Sequence, residues 1–74
     1  MNYDLEKLSR IVENRLLFRD ALMHQSPLDQ QIFYLKHFEG FSLKEISREI
    51  GLSVNAVRNR NHRTLMDLRK RLSE

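Results

Sequence analysis

Ser42-Leu-Lys-Glu-Ile-Ser-Arg-Glu-Ile-Gly-Leu-Ser-Val-Asn-Ala-Val-Arg-Asn-Arg-Asn-His-Arg63 is the stretch that decides how this chain folds. Ser42 and Glu45 stand three residues apart just ahead of an apolar-periodic run. That is the spacing of a capping box, in which a hydroxyl and a carboxylate each take up an unpaired amide at a helix start. Phe41 before the cap and Ile46 after it can close as a hydrophobic staple. Leu43, Ile46 and Ile50 make one helical face, and Gly51 supplies the left-handed residue that ends the helix. Ser53 is then placed to cap a second helix. Two helices joined by a tight turn at Gly51-Leu52-Ser53 read as a helix-turn-helix, whose second helix suits the major groove of DNA.

On that second helix, Val54, Val57, Leu65, Leu68 and Leu72 gather on one arc at ~100° per residue. Asn55, Arg58, Asn59, His62 and Met66 gather on another. Arg can bond guanine bidentately and Asn can do the same for adenine, so Asn55, Arg58, Asn59 and His62 are the expected base readers. Lys44, Arg48, Arg60 and Arg63 are expected at phosphates, with the backbone amides at Ser42 and Ser53 as further anion donors at helix starts. Arg69, Lys70 and Arg71 close the helix, where cations complement its dipole. Asn61 interrupts the core arc. Buried without a partner, its amide would cost ~1–3 kcal/mol, so it must bond a nearby backbone carbonyl or meet another chain. A single Asn in an apolar seam is one way to fix the register of a helical dimer.

Upstream, Ser26-Pro27 marks another helix start, a favoured cap followed by the residue that loses nothing at the first helical position. Leu28, Ile32, Leu35 and either Phe33 or Phe38 supply its apolar face, and Gly40 its end. Before it, residues 4–24 repeat Leu5, Leu8, Val12, Leu16 and Leu22 or Met23 at helical spacing, with Leu17 and Phe18 widening the stripe in its second half, Asp4 as cap and a break near Arg15 left open. Phe33, Tyr34, Phe38 and Phe41 cluster around the second helix, mostly as core, with one or two available for docking a protein. The expectation is an all-α domain of four to five helices over residues 1–74, an N-terminal helical segment (1–25) preceding the helix-turn-helix part (26–74).

Composition agrees. The chain has 41% hydrophobic and 31% charged residues, which fits a folded domain. It has no cysteine, so a disulfide framework and a thiolate metal site are excluded and a reducing cytoplasm is the expected setting. No apolar run approaches a membrane span, and no signal-peptide pattern opens the chain. The net charge of +3 is concentrated at the end: residues 51–74 hold six basic and two acidic side chains. A positive field there is what a polyanion would meet. His24, His37 and His62 lack metal-ligand spacing, and no catalytic constellation or cofactor loop is present, so the reading is of a non-enzyme with no metal or cofactor.

Residues 20–72 resemble region four of bacterial sigma factors, especially the extracytoplasmic-function type. The resemblance rests on Pro27 before its helix, Phe38-Glu-Gly-Phe-Ser42, Glu45-Ile-Ser-Arg-Glu-Ile-Gly-Leu-Ser53, and Val57-Arg-Asn-Arg with His62-Arg63. It implies binding to the minus-thirty-five promoter element of double-stranded DNA and contact with the β flap of RNA polymerase, in the bacterial cytoplasm at the nucleoid. Arg58, Asn59 and His62 would read bases, Arg63 a phosphate, and Phe33 and Phe38 the flap. The family usually has an apolar residue where Asn61 stands. A lone region-four module lacks the promoter-melting region two. It would be a natural short regulator, half of a split sigma factor with a separate region-two-like partner, or a fragment; the initial Met and continuous first segment favour the first. Two other readings stay open: a homodimeric regulator of the LuxR/GerE type dimerising through its last helix, and an interaction module that titrates polymerase or an anti-sigma partner.

Overall fold

The computed structural model describes the backbone of residues 5–73 and the side chains of residues 14–73. Four helices follow one another: α1 (Leu5–Met23), α2 (Pro27–His37), α3 (Leu43–Ile50) and α4 (Val54–Leu72), with no strand among the described residues. The fold is all-α. α1 runs unbroken through Arg15, so the break left open there does not occur. The proposed cap Asp4 and the side chains of Leu5, Leu8 and Val12 lie outside the described residues.

Local chemistry sets the helix starts. Ser26, Ser42 and Ser53 all hold extended backbone, and each hydroxyl accepts from an amide three residues on: Asp29 at 3.1 Å, Glu45 at 3.1 Å and Ala56 at 3.0 Å. Each takes up a donor that the helix itself cannot satisfy. At Ser42 the box is complete, because its own amide donates to Glu45 Oε1 at 3.0 Å. Gly51, at φ 80°, turns the chain out of α3 while its amide still bonds the Ser47 carbonyl. A β-carbon there would be strained by conformation alone. The Ser47 hydroxyl donates to the Leu52 carbonyl and closes the turn from inside. Gly40 also takes a positive φ, 75°, after the end of α2.

Among the described residues the interior divides into two clusters. Ile32, Ile46 and Val57, all fully buried, join α2, α3 and α4, with Leu28, Leu35, Phe41, Leu43, Ile50 and Leu52 around them. Ala21, Phe33 and Leu68 join α1, α2 and α4, flanked by Phe18, Leu22 and Leu65. Ile32 and Phe33 are sequence neighbours on α2, so this helix feeds both clusters. The radius of gyration, 15.2 Å, exceeds the roughly 11 Å of a compact chain this long, and the molecule reaches 49 Å along its longest axis.

Several expectations are corrected. In α1 the packed face is Phe18, Ala21 and Leu22, whereas Leu16 and Met23 are 59% and 62% exposed. Phe33, not Phe38, completes the face of α2. Phe38 lies past the last helical turn as its C-cap and points outward. Leu72 is exposed at the end of α4, and Thr64, not named in the sequence reading, is buried beside its apolar arc.

Candidate nucleic-acid interface

α4 is anchored on one side and open on the other. Val57, Thr64 and Leu68 are buried, and Asn55, Arg58, Asn59, His62 and Met66 are exposed. The four expected base readers therefore share one solvent-facing surface. Arg58 does not wave freely: its Nη1 donates to Asn55 Oδ1 at 2.8 Å. That bond presets the guanidinium along the helix face and leaves its other donors available. Lys44, Arg48 and Arg63 are exposed as well. Together these groups offer an Arg fork, two amides and an imidazole over little more than two helical turns, flanked by point charges suited to phosphate.

Three expected contacts fall elsewhere. Arg60 turns towards α2, where its Nη1 meets Asp29 Oδ1 at 3.1 Å in a half-buried pair. Its register on α4 points it at the protein, and Asp29 already neutralises it. The backbone amide of Ser42 is occupied by Glu45, so the capping box and an anion at that amide compete, and the box holds it. The same bond, followed by the Ser42 hydroxyl contact, keeps the Glu45 carboxyl below the usual carboxylate range. Phe33 is 5% exposed and therefore belongs to the core; the outward aromatic surface at the end of α2 is Tyr34 and Phe38, stacked at 5.6 Å. The Glu39 carboxylate beside Tyr34 pushes its phenol above the ordinary value. Ser53 keeps its capping role at the start of α4.

Asn61 finds neither of the partners expected from sequence. Its Oδ1 lies 3.0 Å from His37 Nε2, a side chain of α2 whose ring also packs at a tilt against Phe33. No buried side-chain nitrogen or oxygen is left without a partner among the described residues. A third polar tie holds the other end of α4: Gln25 Nε2 donates to Asp67 Oδ2 at 2.6 Å, and Arg71 Nε donates to the same oxygen at 2.7 Å. Arg71 first, then Gln25, hold the Asp67 carboxyl below its usual range. Sequence reading missed Asp29, His37 and Gln25 as orienting residues, since each acts across 24 to 42 positions of chain. Among the described residues no cluster of His, Asp and Glu is placed to hold a metal ion, and no helix is long and apolar enough to cross a membrane.

Residues 15–68 match the family model described as sigma-70, region 4. The chain is also 32% identical over 59 residues to an RNA polymerase sigma-E factor of Streptomyces antibioticus. That alignment takes in 80% of this chain and 33% of the relative, so the chain spans about a third of the relative's length.

Proposed function

The chain belongs to the sigma-70 region 4 family, and from that premise we propose that it is a DNA-binding transcription module that reads a promoter element in the major groove with α4. One observation carries this reading: Asn55, Arg58, Asn59 and His62 lie together on the exposed side of a helix whose opposite side is core. Arg58, preset by Asn55, is the principal base reader. Asn59 and His62 flank it, and Lys44, Arg48 and Arg63 hold the phosphates on either side of the groove. RNA polymerase is the second partner, and the Tyr34–Phe38 surface is where its β flap docks. The setting is the bacterial cytoplasm, at the nucleoid.

The Asn61 side-chain oxygen, one ground for a second chain, meets His37 within the same molecule, which removes that ground for the homodimer reading.

The test is fluorescence anisotropy with a promoter duplex that the protein itself enriches from a random-sequence pool and a scrambled duplex. Arg58→Ala is expected to remove about 1–3 kcal/mol of discrimination between them, the worth of one good bidentate base contact. Equal preference in the wild type, or discrimination unchanged in the variant, refutes base reading by α4.

A further inference from the structure

The three cations that close α4 are not equivalent. Arg71 is drawn back to Asp67, which also accepts from Gln25, and it lines a shallow cleft against α1 with Leu17, Asp20, Ala21 and His24. Arg69 and Lys70 are exposed and make no ion pair among the described residues. The helix dipole favours a cation at any of the three positions, so it does not account for the division. Register does. Arg69 and Lys70 follow His62 and Arg63 by seven residues, which returns each to nearly the same face at ~100° per residue. The exposed side of α4 therefore continues without interruption from Asn55 through Met66 to Lys70, about 22 Å at 1.5 Å per residue. The major groove winds around the duplex whereas this stripe is straight, so over such a length its far end leaves the base edges and comes onto the bordering phosphate strand.

We infer that Arg69 and Lys70 form a phosphate-binding site at the far end of α4, separate from the base-reading turns. The inference rests on the reading of α4 as the groove-binding helix and adds how that helix lies: along the groove with its C-terminal end on the backbone, rather than entering end-on with that end in solvent.

The experiment measures affinity of the whole chain for the promoter and scrambled duplexes across a salt series, with circular dichroism confirming helicity. Each neutralised phosphate contributes a slope of about 0.9 in log affinity against log salt. The double variant Arg69→Ala/Lys70→Ala is expected to lower the slope by about 1.8 on both duplexes. The ratio between the duplexes stays the same. Arg71→Ala should leave the slope in place, and Arg69→Lys/Lys70→Arg should restore it. An unchanged slope in the double variant, or an equal loss in Arg71→Ala, overturns the inference while promoter reading stands. A wild type that binds neither duplex overturns promoter reading, and this inference with it.

Discussion

The end of the molecule built on α3 and the end built on α1 are held by different means. Around α3, three fully buried aliphatic side chains from three helices meet, the helix start carries a complete capping box, and the turn into α4 is closed by Gly51 and the Ser47 hydroxyl. Around α1, the cluster among the described residues contains one small residue, one aromatic and one leucine, and Leu16, Leu17 and Met23 lie exposed on the helix that supplies it. There the polar tie through Gln25, Asp67 and Arg71 shares the work of joining the helices. The difference teaches where rigidity is placed. The turn that aims α4 has both local and tertiary support, while α1 braces α4 from the side.

Truncating the two clusters separately should break or sharpen this contrast. Ile46→Ala removes a fully buried side chain at the centre of the α3 cluster and is expected to cost about 2–5 kcal/mol, much of the stability of so short a chain. Leu68→Ala creates a cavity of the same chemical kind in the α1 cluster. Hydrogen exchange should then show α1 amides losing protection before those of α3. Equal loss of protection in both regions would mean that the two clusters unfold as one.

The cap comes next in size. Ser42→Ala should cost ~1 kcal/mol in denaturant unfolding, the usual worth of an N-cap hydroxyl. Its carboxylate partner adds a pH dependence. Because the folded Glu45 carboxyl is lowered, its contribution is complete above the ordinary glutamate range and is lost as pH falls through the folded value. Melting temperature followed downward from neutral pH should decline less steeply in Glu45→Gln than in the wild type. Parallel curves would show that the ionised Glu45 carboxylate adds nothing to stability.

The smallest effect is expected on the outside of α1. Leu16→Ser replaces a side chain that is mostly in water and should change stability by no more than about 0.5 kcal/mol. A larger loss would mean that this face is covered in solution and that the contrast between the two ends is overstated.

Much of the helix-turn-helix was legible because its signals act within one turn of chain. Ser26 before Pro27, Ser42 with Glu45, Gly51 and Ser53 each satisfy or release backbone groups a few residues away, so sequence spacing alone specifies them. The open side of α4 was legible for a related reason: a strong apolar arc leaves the other side outward wherever the helix packs. α1 was not legible in this way. It offers Leu16 and Met23 on one side and Phe18, Ala21 and Leu22 on another. Both sides look apolar, and only the surface presented by α2 and α4 selects between them.

The sequence by itself determined where α2, α3 and α4 begin, where the chain turns between α3 and α4, and which side chains α4 offers outward. Those outcomes follow from hydrogen bonds and helical register confined to neighbouring residues. Only the tertiary structure decided that Asn61 pairs with His37, that Arg60 turns from solvent to Asp29, and that Phe33 goes inside while Phe38 stays out. Each depends on a partner brought close by packing. A polar or aromatic side chain on a helix takes its role from the surface it meets, and the linear order of residues does not state which surface that is.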